Sequence, residues 1–180
     1  MKVSLFSNNK VMLVGGNMTA FTSIKDSLSP SQEVQVFHSL EDLKNIASDE
    51  WYQCLKVGCI RNPYDLAVSL HFWYQQTIDP KSMTLSISVR NSDWKNIFID
   101  SLDSMMLMEY DDVIQFETLT EDAERFQRIF GFESRALLPT NRNTRPQDTR
   151  EDYRTLYDRR TRTIVTRLSR QVIDKFGYVF

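Results

Sequence analysis

The sequence predicts an α/β protein with a mainly parallel sheet, helices on both faces and hence three layers. Short apolar runs alternate with segments of helical composition, and most boundaries carry a turn or cap signal. No internal repeat or low-complexity stretch interrupts the alternation. Strands that alternate with helices require right-handed crossovers, which put helices on both sides of the sheet. The 180 residues, 41% hydrophobic and 26% charged, suit one domain over 1–180 with a sizeable core.

Val11-Met12-Leu13-Val14 is a short apolar run ending at Gly15-Gly16, which reads as a strand and a turn. Thr22 to Leu28 has helix-compatible composition until Ser29-Pro30 stops it. Val34 to Phe37 is the second strand, and Ser39-Leu40-Glu41-Asp42 has capping-box spacing that opens a helix through about Ile46. Leu55 to Ile60 is the third. After it Asn62 is a good N-cap, Pro63 suits the first helical position and Asp65 favours the positive helix end, so a helix runs to about Gln76. Residues 79–91 read as an irregular loop.

Ser92-Asp93-Trp94 opens the next helix, toward Met108. Val113 to Phe116 is the fourth strand, and Thr120 caps an acid-headed helix that Gly131 ends. Residues 139–150 have no apolar periodicity and read as a loop ordered by itself or by a ligand. Ile164, Val165, Leu168, Val172 and Ile173 then form an apolar stripe at helical spacing, with Gly177 as the stop.

No run of about 18 apolar residues is present to span a bilayer, and the N-terminus lacks a basic segment followed by an apolar stretch and a cleavage site. A soluble, unexported protein is expected. Cys54 and Cys59 lie five apart in one strand, on opposite faces, and cannot easily pair. Their setting implies core packing and a reducing, cytoplasmic compartment, and their spacing is not that of a metal site. Net charge is −2 but uneven: residues 1–140 carry 12 Lys and Arg against 19 Asp and Glu, and residues 141–180 carry 10 against 5. The C-terminal portion is therefore near +5 and the rest near −7. Such a tail is either a solvated helix face or a partner for phosphate or nucleic acid.

Ligands of open α/β sheets sit beyond the carboxyl ends of the strands. Gly15 to Ser23 is a strand-to-helix turn whose amides and hydroxyls suit a phosphate, although it lacks the Gly-Lys-Ser/Thr of a Walker A sequence, and an ordinary Gly-rich turn is the alternative. Arg61, at the end of the third strand, can hold a phosphate with its planar fork, and Ser69, two turns into the helix, can donate to the same group. The alternative is an Arg61–Asp65 pair with a solvent-facing serine.

Arg61-Asn-Pro-Tyr-Asp-Leu-Ala-Val-Ser69 resembles the 3′-phosphate-binding signature of the sulfotransferases, in which a serine follows the arginine of an Arg-Asn-Pro segment by eight residues. Three further stretches are similar in the right order: Met18 to Lys25 to the 5′-phosphosulfate loop, Phe116-Glu117-Thr118-Leu119 to a strand-end Glu-x-Leu region, and Asn141 to Tyr178 to the C-terminus of carbohydrate-type members. The resemblance spans about residues 11–180 and implies a P-loop-NTPase-like sulfotransferase fold.

It also implies an enzyme that moves a sulfuryl group from 3′-phosphoadenosine 5′-phosphosulfate to a hydroxyl or amine of an acceptor, with a carbohydrate as one candidate, releasing adenosine 3′,5′-bisphosphate without a metal. Thr19, Ala20, Phe21, Thr22 and Ser23 would hold the 5′-phosphosulfate, and Arg61 with Ser69 the 3′-phosphate. The loop from Asn141 to Arg145 would close over the nucleotide, with Arg142 and Arg145, and also Arg150, neutralising part of its charge. Most other tail arginines read as solvated helix charges. The sequence departs from the family at Met18, which stands where a charge-stabilising lysine is usual; Lys25 or a tail arginine is the substitute. Of two histidines, His38 at the end of the second strand is the candidate base, with Glu117 in reserve, because His71 lies about 200° round the helix from Ser69.

Trp73, Tyr74 and Trp94 line an acceptor pocket or fill the core. The rival readings are a non-catalytic nucleotide-binding or assembly protein of the same fold, motivated by Met18, and, ranked below it, an RNA-binding module. Neither nucleic acid nor membrane is an expected partner.

Overall fold

Every residue of strand β2 (Val11–Gly15) is buried, so both its faces are covered and it belongs inside a sheet. The computed structural model places it in the middle of five strands and describes residues 2–6, 10–16, 18–28, 34–37, 53–78, 84–130 and 152–180. The expected helix at 39–46, the loop at 139–150, the stop at Gly131, residues 79–83 and the candidate residues His38, Arg142, Arg145 and Arg150 lie outside the described residues.

The chain divides into two compact units, Met1–Ile60 with Leu107–Thr140 and Arg61–Met106 with Asn141–Phe180. The first holds the sheet, in the order β3-β1-β2-β4-β5, where β1 is Lys2–Phe6, β3 Val34–Phe37, β4 Leu55–Ile60 and β5 Asp112–Gln115. Strands β2, β4 and β5 pair in parallel, Gly15 opposite Cys59 and Ile60 opposite Gln115. Strand β1 is antiparallel to both β2 and β3. Four of the five strands thus share one direction, so the sheet is mainly parallel as expected, and β1, which the sequence reading passed over, is the one reversed strand.

On one face Phe6, Leu13, Val57, Cys59 and Ile114 pack with Phe21 and Ile24 of helix α1 (Phe21–Leu28) and with Phe126. On the other Val3, Leu5, Met12, Val14 and Cys54 meet Leu107, Met108 and Tyr110. The two cysteines are buried, free and on opposite faces, although only Cys59 lies in β4 and Cys54 stands just before it, outside the strand in which both were expected. Within this unit the described helices over the sheet lie on one face only, so the three-layer arrangement is not a property of this unit. Gly58 is needed where it stands, because a Cβ there would lie 2.7 Å from the Tyr110 ring.

The second unit is helical. Helix α2 (Pro63–Thr77) is its centre, buried along Leu66, Ala67, Val68, Leu70 and Tyr74, and packs against α3 (Leu85–Ser88), α4 (Ser92–Met106) and α6 (Arg159–Leu168). Helix α5 (Leu119–Phe130) belongs to the first unit and α7 (Arg170–Phe176) to the second.

Several boundaries differ from the sequence reading, by one residue at β5 and at the start of α1 and by more elsewhere. Residues 84–91 are not irregular: Thr84 caps α3 by accepting from the Ile87 amide (3.3 Å), and Asn91 caps α4 by accepting from Asp93 and Trp94. Helix α4 stops at Met106, two residues short of Met108. Thr120 lies inside the first turn of α5 instead of capping it. The single helical tail is two helices, because Ser169 leaves the helical conformation (φ −104°, ψ 14°) while its hydroxyl bonds back to the Val165 carbonyl (2.7 Å).

Candidate functional site

The pairing register brings the C-terminal ends of β2, β4 and β5 level, so the turn after Gly15 and the strand-end Phe116-Glu117 leave the same edge of the sheet. Arg61 is the next residue after β4 along the chain. The turn after β2 is tight. Met18 and Ala20 both take left-handed backbone conformations (φ 63° and 62°), which cost an L-residue roughly 1 kcal/mol each. The buried Thr19 hydroxyl donates to the Gly16 carbonyl (3.0 Å) and fixes the turn.

A Cβ on Gly15 would lie 2.8 Å from the Phe21 ring, so this glycine is demanded by the close approach of the following helix. The ladder of α1 begins with the Ile24 amide on the Ala20 carbonyl (3.0 Å), which leaves the amides of Phe21, Thr22 and Ser23 outside it. Thr22 and Ser23 are half-buried in this first turn. Of the five predicted phosphosulfate-loop residues, Thr19 and Phe21 are therefore used within the turn itself. Lys25 forms an ion pair with Asp26 (2.7 Å).

In the second unit the three residues at spacing i, i+4 and i+8 converge, because side chains four apart stack on one helix face. The Arg61 Nε donates to Asp65 Oδ2 (2.7 Å), and Nη2 contacts the same oxygen (2.5 Å) and donates to Ser69 Oγ (2.7 Å). Arg61 is 6% exposed and Asp65 9%, whereas Ser69 is half-buried. The Arg61–Asp65 pair of the structural alternative is therefore formed, and the serine is bound to the arginine instead of simply facing solvent. A serine oxygen that accepts from a guanidinium has its own proton to give, so the pair presents donors with a fixed orientation toward an anion. A buried arginine needs a counterion, and Asp65 supplies it.

The start of α2 is held from distant parts of the chain. Asn62 Oδ1 accepts from the Tyr64 amide (3.0 Å), while its Nδ2 donates to the Val179 carbonyl (3.1 Å) and the Tyr153 hydroxyl (3.3 Å). The Tyr157 hydroxyl donates to the Tyr64 carbonyl (2.8 Å), and the Tyr64 hydroxyl bonds Thr166 Oγ1 (2.8 Å). Phe180 packs edge-on against Tyr64 and Tyr157 under the Arg162 guanidinium, 3.9 Å from its ring centre. Sequence reasoning missed these supports: they lie about ninety or more residues away along the chain, with no local signal to announce them.

His71 is 4% exposed, its Nδ1 bonded to Ser88 Oγ (2.7 Å), and burial pushes its pKa down to about 4. It is a packing histidine. Tyr74 (2% exposed) and Trp94 (fully buried, stacked on Phe98) belong to the core, and Trp73 is half-buried. Glu117 is exposed just beyond β5. Burial pushes the Cys59 thiol up, which makes it unreactive.

Comparison with known proteins gives no match: no protein-family model, no curated protein and no solved structure is significantly similar to the chain. Among the described residues no helix is long and apolar enough to cross a membrane, and no group of three or more His, Cys, Asp or Glu side chains is placed to hold a metal.

Proposed function

We propose that the chain is a sulfotransferase that binds 3′-phosphoadenosine 5′-phosphosulfate, in a cytoplasmic setting and on a P-loop-NTPase-like sulfotransferase fold. The observation that supports it is the convergence of Arg61 and Ser69, a guanidinium and a hydroxyl 2.7 Å apart at the start of a capped helix. On this reading they take the 3′-phosphate, and Asp65 keeps the arginine fork in place between binding events. The first turn of α1, with the hydroxyls of Thr22 and Ser23, takes the 5′-phosphosulfate.

The donor supplies the sulfuryl group: an acceptor oxygen or nitrogen attacks sulfur, the bond from sulfur to the phosphate oxygen breaks, and that oxygen keeps the electron pair. The acceptor's proton passes to a base, His38 or Glu117. Arg142 and Arg145 offset the charge of the bound nucleotide. The acceptor is a hydroxyl or amine, with a carbohydrate as one candidate.

A second reading, nucleotide binding without turnover, has its own support. Gly15 to Ser23 contains no lysine or arginine, Met18 occupies the family's lysine position, and Lys25 is paired with Asp26 (2.7 Å).

The test is thermal denaturation with adenosine 3′,5′-bisphosphate and with adenosine 5′-monophosphate, which lacks the 3′-phosphate. The bisphosphate is expected to raise Tm well above the monophosphate at equal concentration. Ser69→Ala should weaken the bisphosphate by about tenfold, the loss of one hydrogen bond to a charged group, and leave the monophosphate unchanged. Ser69→Ala is preferred to Arg61→Ala because removing the arginine strands the buried Asp65 carboxylate, at a cost of about 3 kcal/mol or more in stability. Equal shifts from the two nucleotides, or none, would overturn the proposal.

A further inference from the structure

Arginines in the second unit are used in two ways. Arg61 pairs with Asp65, Arg154 with Asp152 (3.4 Å) and Arg170 with Asp174 (2.8 Å), and Arg162 lies over Phe180. Arg159, Arg160 and Arg167 differ: among the described residues none of the three has a carboxylate within ion-pair distance. All three line one open concavity of about 550 Å3, together with Thr163 and Ile164. Arg160, Thr163, Ile164 and Arg167 follow i, i+3, i+4, i+7 spacing, which puts them on one stripe of α6, with the two arginine Cα atoms about 10 Å apart.

The arrangement is unfavourable without a ligand. Arg159 and Arg160 occupy the first two positions of α6, where the helix dipole disfavours cations. The preceding Asp158 caps the helix by accepting from the Thr161 amide (2.6 Å), a bond that holds it below the usual carboxylate range. Its single charge offsets only part of that of the three arginines, with none of which it forms an ion pair. The helix is anchored on its other side by Val165 and Thr161, both buried, so the arginine stripe is not needed for packing.

We infer that this stripe is an anion site for a soluble organic oligophosphate, a small molecule carrying two or more phosphate groups that the guanidinium forks engage together. Concavity favours a small ligand: the volume falls within the range of ligand pockets, roughly 300–1,000 Å3. A bilayer surface would call for an exposed apolar row beside the arginines, and the stripe offers only the half-buried Ile164. Single-stranded nucleic acid would call for aromatic stacking platforms, and among the described residues the lining offers none. The site is distinct in its residues from Arg61 and Ser69, so its test does not depend on the proposed donor.

The experiment is calorimetric titration of the full chain with inorganic tripolyphosphate and with orthophosphate at matched ionic strength. Tripolyphosphate is expected to bind at least about tenfold more tightly, and Arg160→Gln with Arg167→Gln to lose about tenfold or more of that affinity, while Ser69→Ala keeps it. In the unaltered chain, tripolyphosphate should slow amide exchange across residues 159–167, a readout that does not need the variant to fold. Equal weak binding of the two anions, affinity indifferent to the double substitution, or protection elsewhere in the chain would overturn the inference. So would tighter capture by phosphatidylserine vesicles or by single-stranded RNA, sensitive to the same substitutions, which would assign the stripe to a membrane or a nucleic acid.

Discussion

His71 is the titrating group whose behaviour follows most directly from where it sits. Its folded pKa, about 4, lies below the ordinary 6.5 because burial penalises the imidazolium. Between those two values the unfolded chain binds a proton that the folded chain does not, so stability falls as pH drops from 6.5 to 4 and the contribution is complete above 6.5. The loss amounts to up to about 3 kcal/mol. His71→Gln keeps a side-chain amide near Ser88 and cannot titrate. Urea denaturation across that range should show a flatter profile for this variant than for the parent, and parallel profiles would refute the assignment. The Arg61 motif shows the residue scale from the other side. Its spacing identified the three residues, but only the distances show that Asp65 and Ser69 engage the guanidinium at the same time.

At the scale of elements, the β2–α1 connection is the most constrained part of the first unit. Gly15→Ala would press a methyl group against Phe21 at 2.8–2.9 Å and Thr19 at 3.0 Å, atoms that are themselves buried. Overpacking of this kind costs roughly 1–3 kcal/mol, so a drop of that size in unfolding free energy is expected, and an unchanged value would mean the turn adapts. The elements were readable where the signal is local. The strand Leu55–Ile60 and the start of α2 at Pro63 match the sequence reading to the residue, since β-branched residues, an N-cap and a proline act over a few positions. Strand β1 was missed although Val3, Leu5 and Phe6 precede Asn8-Asn9, an apolar run before turn-forming residues that could have announced a hairpin with β2.

For the molecule as a whole, the proposed donor site divides into turnover and binding alone, and Met18 is where the two separate. A lysine there would stand in the turn proposed to hold the 5′-phosphosulfate, where a cation helps the transition state more than the ground state. Met18→Lys is expected to raise the release of adenosine 3′,5′-bisphosphate from the donor, with nucleotide affinity little changed, in assays offering sugars, phenols and amines as acceptors. If the unaltered protein already turns over fast and Met18→Lys abolishes it, another residue does the lysine's work and the alignment of residues 16–23 is wrong. Firm nucleotide binding with no turnover by either protein, across a panel that includes the true acceptor, favours the non-catalytic reading.

The sequence by itself determined the α/β class, most element positions, and the grouping of Arg61, Asp65 and Ser69 on one helix face. All of these follow from periods of two and 3.6 residues and from caps, which are properties of neighbours along the chain. Tertiary structure alone decided the place of β1 between β2 and β3, the break at Ser169, and the support of Asn62 by Tyr153 and Val179. It also decided which tail arginines are matched by a carboxylate and which line a shared hollow. Hydrogen bonds between groups about a hundred residues apart, and charges paired or left unpaired by packing, depend on which surfaces meet, and no local pattern of residues encodes that.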